Sequence, residues 1–420
     1  MAEAAGGVGG VVGGAAAMDT DGAEPGEEEG DEPPPRLIGP MPPAAGKWAS
    51  CLSVLEPSAD EPGALVEAAC ADLDNNEAAL SVCACAFASH GAEPLIVVGT
   101  AKDLTFHPRQ HGGCFLRVYQ VVEGAPAASA DGAAAAARPR LELLHVTEIE
   151  DVPLAITPFH GRLLAGVGQS LRVYELGKRK LLRKSEVHHA LPSMLVKVAT
   201  MADRIYCADL TDSLLFAKYR RDTNAIAVFA DDETGRMVTT FCVLDYDTVV
   251  GADKFGNVFV LRLPAETSDD IDNPTGNRVL WDSGVLNGAP TKLEQLCMYH
   301  VGEVVTSLTK CALAPGSADA IIFTTISGAL GALLPSTTRD DKDFFMHLEM
   351  HLRQEKTLLT GREHIQYRSY FMPVKEVTDG DFCEEFSGLP PKAQEQIATD
   401  LERTPAEVMK KLESLRERLL

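Results

Sequence analysis

The side chains best able to do chemistry here are histidines, cysteines and loop glycines, and their spacing limits what they can do. His347-Leu-Glu-Met-His351 sets two imidazoles four positions apart, on one face of a helix. A zinc protease needs a glutamate directly after the first histidine, whereas Glu349 falls about 200° round the helix from His347. The pair therefore reads as the surface of an amphipathic helix. His107 and His111 share the spacing, but Pro108 stands between them and ends any helix. His188-His189 reads as loop. Gly328-Ala-Leu-Gly331 lacks the lysine, hydroxyl and following helix of a phosphate-cradling loop, and no Gly-x-Ser-x-Gly elbow occurs. The 10 cysteines include no Cys-x-x-Cys. Cys83 and Cys85 alternate to one face of a strand and read as small buried hydrophobes of a reducing compartment. No catalytic, cofactor or metal-ligating set emerges, and nothing points to an enzyme.

Charge narrows the partners. The formal net charge is −23, and the first 46 residues hold nine acids against Arg36 alone, a net of −8 that leaves −15 for the rest. Such a surface repels phosphate backbones, which argues against a broad nucleic-acid groove. Gly177-Lys-Arg-Lys-Leu-Leu-Arg-Lys184 is the one dense basic run. It reads either as a hairpin turn with a charged edge or as a nuclear-import or RNA-contact patch. No secretory signal plan and no apolar run of about 18 residues occur, so a soluble intracellular chain is expected.

The elements that would position any site are strands. In Asp247–Leu263 two β-branched and aromatic runs flank a polar turn at Asp253, Lys254 and Gly256-Asn257. Val258, Val260 and Leu263 are assigned to one face, Phe259 and Leu261 to the other. With apolar residues on both faces the hairpin must be covered above and below. The same plan recurs in Arg162–Leu176, Arg204–Tyr219 and Ala320–Leu334, and earlier in Leu95–Leu104 with Gly113–Tyr119. Strand exits at Gly166, Asp209 and Gly251 stand 43 and 42 residues apart. A period of about 40–45 residues with four short strands per unit is the mark of propeller blades, and its recurrence favours them over an ordinary β-sandwich of unremarkable hairpins. Ala125–Arg138 and Ala265–Asn277 interrupt it as insertions.

In chain order, residues 1–46 are Gly/Ala-rich, acidic and Pro-rich, a composition predicting disorder. Strands are expected at Trp48–Leu55 and Leu80–Phe87, and residues 47–339 read as one propeller. After Asp340 the period changes: Phe344, Phe345, Leu348 and Leu352 make a helical stripe. Asp381–Phe386 and Pro391–Leu401 follow as helical pieces. Thr404-Pro405-Ala406-Glu407 is a capping box with proline at N1. It opens a helix whose stripe is Val408, Leu412, Leu415 and Leu419. Residues 340–420 thus form a small C-terminal helical domain.

Several motifs are recognisable together. They are Gly166-Val-Gly-Gln-Ser-Leu-Arg-Val-Tyr174, Val249-Val-Gly-Ala-Asp-Lys-Phe-Gly-Asn257, Pro274-Thr-Gly-Asn277, Arg368-Ser-Tyr-Phe-Met-Pro-Val-Lys375, Asp379-Gly-Asp381 and Arg403-Thr-Pro-Ala-Glu-Val408. In this order, with the basic run Gly177–Lys184, they resemble the splicing branch of a family. That family also holds the large cleavage-and-polyadenylation-factor subunit and damaged-DNA-binding protein 1. The resemblance runs from about Lys47 to Leu420.

It implies a mainly β fold, a WD40-like β-propeller followed by helices, the last part of a three-propeller design. Met1–Gly46 departs from the family, where two propellers and the opening of the third are expected. It further implies a nuclear scaffold of the splicing factor 3b complex of the U2 small nuclear ribonucleoprotein, which recognises the intron branch site. The implied partners are the complex's helical-repeat large subunit and its smallest subunit, with RNA met indirectly or through local patches, and no membrane. The exposed turn charges expected to meet a partner are Lys102, Asp103, Arg236, Asp253, Lys254 and Lys375. Two other readings compete: a ubiquitin-ligase adaptor or damage sensor, and a propeller enzyme, for which the sequence offers no cluster of acids, histidines or metal ligands.

Overall fold

The computed structural model describes residues 45–58, 63–91, 93–123, 139–187, 193–267, 289–336, 338–356 and 361–418. The head to residue 44, Ala125–Arg138, His188-His189, Pro274–Asn277, Leu419 and all but the first three residues of Ala265–Asn277 lie outside them.

Strands β1 (Cys51–Pro57) and β2 (Leu65–Asp72) form a hairpin of their own. Next come β3 (Glu77–Ala86), β4 (Pro94–Lys102), a two-residue hairpin of β5 (Thr105–Phe106) and β6 (Arg109–Gln110), then β7 (Gly113–Glu123) and β8 (Pro139–Ile149). The order β3-β4-β7-β8 is an antiparallel meander, the first full blade. The second consists of β9 (Ala155–Phe159), β10 (Arg162–Val167), β11 (Ser170–Leu176) and β12 (Leu181–Val187). The third consists of β13 (Leu195–Met201), β14 (Arg204–Asp209), β15 (Ser213–Arg220) and β16 (Ala225–Asp232). The fourth consists of β17 (Val238–Val243), β18 (Thr248–Asp253), β19 (Asn257–Arg262) and β20 (Thr291–His300). A parallel pairing of Ala230–Asp232 with Thr291–Leu293 ties the last two together. A three-stranded sheet of β21 (Val305–Cys311), β22 (Ala320–Thr325) and β23 (Leu330–Leu333) ends the series.

Hydrophobic clusters fill the spaces between successive blades, which is why the strands are apolar on both faces. Along β10, Leu163, Ala165 and Val167 join the core shared with the first blade, while Leu164 joins that shared with the third. In the fourth blade Val250, Ala252, Val258 and Val260 face the last sheet, and Val249, Phe259 and Leu261 face the third blade. Leu263 lies with Phe259 and Leu261, not with Val258 and Val260 as first assigned. A two-residue period puts 259, 261 and 263 on one side. Cys83 and Cys85 both pack in the first core, and burial pushes their thiols up to about 12 and about 11.

The glycine at the repeated strand exit has a steric reason. Gly251 pairs with Phe259 across the ladder, and the ring lies over it. A Cβ at 251 would stand 2.5 Å from Phe259 Cζ. Gly251→Ala is therefore expected to cost about 1–3 kcal/mol by overpacking, read as a lower urea midpoint at unchanged slope.

Helices α1 (Arg339–Glu355), α2 (His364–Arg368), α3 (Gly380–Glu384), α4 (Pro391–Asp400) and α5 (Pro405–Glu417) follow. The Thr404–Glu407 capping box is present in both directions. Phe344, Leu348, Leu352, Phe382, Phe386, Ile397, Val408 and Leu412 make one core, so Val408 and Leu412 of the α5 stripe are spent inside the helical part.

Candidate partner-docking site at a blade rim

The β18–β19 turn is built by one side chain. Asp253 Oδ1 accepts from the backbone N–H of Phe255 (2.9 Å) and Asn257 (3.0 Å), and Oδ2 accepts from Asn257 Nδ2 at 2.8 Å. Gly256 supplies the positive φ of +80° that the turn needs. Asn257 Oδ1 is in turn 3.0 Å from His300 Nδ1. Because the carboxylate turns inward, Lys254 and Phe255 are thrown outward. Lys254 is exposed, its Nζ 5.1 Å from the Phe255 ring, and Phe255 is 43% exposed.

Against this turn stands the segment after α2. Phe371 lies 4.5 Å from Phe255, and Tyr370 meets Phe371 edge-on at 4.8 Å. His300 lies 5.5 Å from Tyr370, and the Arg362 guanidinium sits 5.3 Å over the same tyrosine. Tyr370 and Phe371 are 54% and 48% exposed. Three half-exposed aromatic rings edged by two cations make a compact patch with the composition of an interface centre.

An ionic hub holds the two sides of this patch together. Arg368 donates to Asp379 Oδ2 through Nε at 2.8 Å, and Nη2 lies 2.7 Å from the same oxygen. Its Nη1 donates to the carbonyls of His300 and Val301, both at 3.1 Å, and the guanidinium covers Tyr299 at 4.7 Å. His364 Nε2 is 2.9 Å from Asp379 Oδ2, and its ring stacks on Phe382 at 4.3 Å. Burial pushes the Asp379 carboxyl up, but the His364 hydrogen bond and the Arg368 charge outweigh it and hold it well below the usual range. Burial and the Arg368 charge push His300 down, which favours a neutral ring beneath the aromatics.

The six charges expected at the surface fare differently. Lys254 and Lys375 are exposed near this joint. Lys375 exchanges backbone bonds with Met298 (3.0 and 2.9 Å), and its Nζ donates to the Gln295 carbonyl. Lys102 and Asp103 sit on the first blade, away from the patch, Lys102 on Asp74 at 2.6 Å and Asp103 accepting from Asn76 at 2.6 Å. Asp253 and Arg236 are corrected: both are buried, 5% and 4% exposed. Asp253 is consumed by its own turn. Arg236 pairs with Asp232 (2.8 Å), donates to Gln295 (2.6 Å) and lies 4.3 Å over Phe259.

Phe255, Tyr370 and Phe371 are not among those expectations. The available signal was apolar residues inside polar turns, Lys-Phe-Gly and Ser-Tyr-Phe, where burial is hard to arrange. In the His347–His351 helix, Glu349 is buried and faces His364 at 3.4 Å. The two histidines line a hollow with Asp343 and Asp400 on the other side. The basic run forms the β11–β12 turn, where Lys178, Arg179 and Lys180 are exposed and Arg183 and Lys184 pair with Glu186 and Glu175.

The family model of the CPSF A subunit region matches residues 49–388. Splicing factor 3B subunit 3 of Danio rerio is 46% identical over 386 residues, covering 92% of this chain and 30% of that protein. Spliceosome-associated protein 130 A of Arabidopsis thaliana is 46% identical over 376 residues, 89% of this chain and 29% of that one. Pre-mRNA-splicing factor RSE1 of Mycosarcoma maydis is 40% identical over 384 residues, 91% and 30% of the two chains. The chain thus spans about 30% of the length of the curated relatives it matches. With the match running from the β1 hairpin into the helices, the chain belongs to the CPSF A subunit family.

Proposed function

We propose that this chain is a non-enzymatic scaffold in pre-mRNA splicing, acting in the nucleus within the splicing factor 3b complex of the U2 small nuclear ribonucleoprotein. Residues 47–339 serve as the frame and residues 340–420 as a helical unit fixed to it. The rim patch of Lys254, Phe255, Tyr370, Phe371 and Lys375 meets a protein subunit of that complex. The helical-repeat large subunit and the smallest subunit are the partners named for the test. Lys102 and Asp103 offer a second contact on the first blade, while Arg236 and Asp253 act by holding the frame and the turn. RNA is served indirectly, through the chains gripped. The observation that carries this reading is the match of about nine-tenths of the chain to relatives named as splicing factors.

Charge reversal at Lys254 and Lys375 together, with Phe255→Ala and Phe371→Ala, tests the contact. Tagged wild type should co-purify both subunits from nuclear extract, and the fourfold variant should lose at least one while remaining folded by circular dichroism. Unchanged recovery of both would sink the contact. Recovery of a cullin by the wild type instead would favour the ubiquitin-ligase adaptor.

A further inference from the structure

The sequence scatters its cysteines, but the β1–β2 hairpin gathers two of them. Its register pairs Cys51 with Asp72 and Ser53 with Cys70. Cys70 and Asp72, two apart on one strand, point to the same face, and Cys51 lies across from them. The Sγ atoms of Cys51 and Cys70 and a carboxylate oxygen of Asp72 all stand within 4.8 Å of one another. Cys51 is partly buried, and Cys70 is the exposed one of the ten cysteines. Ser53 Oγ reaches Cys70 Sγ at 3.7 Å and Glu67 at 3.1 Å, so the thiol already has a polar neighbour that orients it.

We propose that Cys51, Cys70 and Asp72 form a binding site for a zinc-class divalent ion. Zinc takes thiolates at about 2.3 Å and carboxylate oxygens at about 2.0–2.2 Å, so ligand atoms on a tetrahedron stand about 3.5–3.8 Å apart. The present separations, all within 4.8 Å, exceed that value by about 1 Å at most, a gap of the size side-chain rotation spans. Two thiols and one carboxylate select a borderline-soft ion over calcium or magnesium, which take oxygen sets. Binding releases the two thiol protons to solvent and forms two metal–sulfur bonds and one metal–oxygen bond. Three protein ligands leave a fourth position for water or a partner's donor. The consequence is mechanical. A two-stranded hairpin is marginal by itself, and an ion bound to both strands clips it. The site is independent of the splicing reading.

The test uses the full chain, reduced, titrated with Co2+ as a spectroscopic probe and then with Zn2+. Wild type should take up one Co2+ with a thiolate-to-cobalt charge-transfer band that Zn2+ abolishes. Cys51→Ser and Cys70→Ser should each weaken binding by at least the about tenfold that loss of an outer-shell partner costs, with Asp72→Asn in the same direction. Cys311→Ser should leave it unchanged. In parallel, Zn2+ should slow alkylation of Cys70 in the wild type, read by peptide mass spectrometry, which needs no variant to fold. No charge-transfer band, or a band that survives both cysteine changes, or unprotected Cys70, overturns the site.

Discussion

Arg368→Ala is expected to lose about 3–5 kcal/mol of stability, read by chemical denaturation. The side chain closes a buried hub: two contacts to Asp379, two hydrogen bonds to the carbonyls of His300 and Val301, and a stack on Tyr299. Truncation leaves the Asp379 carboxylate buried with His364, Tyr299 and the α3 N-terminus but no cationic guanidinium, and leaves two carbonyls without their Arg368 donor. The variant should also shift acid unfolding. Asp379 sits below its ordinary pKa in the fold, so its contribution is complete above the unfolded value near about 3.9 and drains away only as pH falls below it. With the guanidinium gone the folded value moves back up, and acid unfolding begins at a higher pH than in the wild type. Glu349, which burial pushes up, has the opposite sign: it favours the fold at low pH and opposes it as pH rises. An unchanged acid limb together with unchanged midpoint would show that the hub does not fasten the helices to the fourth blade.

Arg236→Ala should cost a similar amount, about 3–5 kcal/mol, because it strands Asp232, whose side chain is 3% exposed. The guanidinium lies on Phe259, whose ring covers Gly251, and its Nη1 lies 3.4 Å from Met372 Sδ in the segment that carries the patch aromatics. Arg236→Met combined with Asp232→Leu removes both charges and should recover much of the loss. Lys254→Ala, an exposed neighbour on the same rim, should stay within about 0.5 kcal/mol of wild type. The contrast separates a residue that builds the frame from one that offers a contact. A binding defect in Arg236→Ala would therefore say nothing about the surface.

The frame was readable because its signals are local. Two-faced apolar strands, glycines at repeated exits and the Thr404–Glu407 box each act within a few residues, and the blades and α5 follow them. Leu263 shows the limit of even that reading, since one slip of parity moves a side chain to the other core. The site was less readable because it joins distant segments. Phe255 and Phe371 meet across more than a hundred residues of chain, and Arg368 reaches carbonyls on β20 and beyond it. Asp253 and Arg236 look like solvent charges in a linear sequence. Only the turn geometry shows the first folded onto its own N–H groups, and only the packing of 295 and 372 shows the second enclosed. Cys51 and Cys70 are likewise distant in sequence and become neighbours only through strand register.

We propose that a rigid frame presents the rim patch to splicing proteins. A photoreactive phenylalanine analogue at position 371, with another at the exposed Leu182 on β12 as reference, tests it in nuclear extract. Cross-links to subunits of the splicing factor 3b complex are expected from position 371 and few from 182. Equal labelling from the two positions, or no splicing protein at 371, would contradict it.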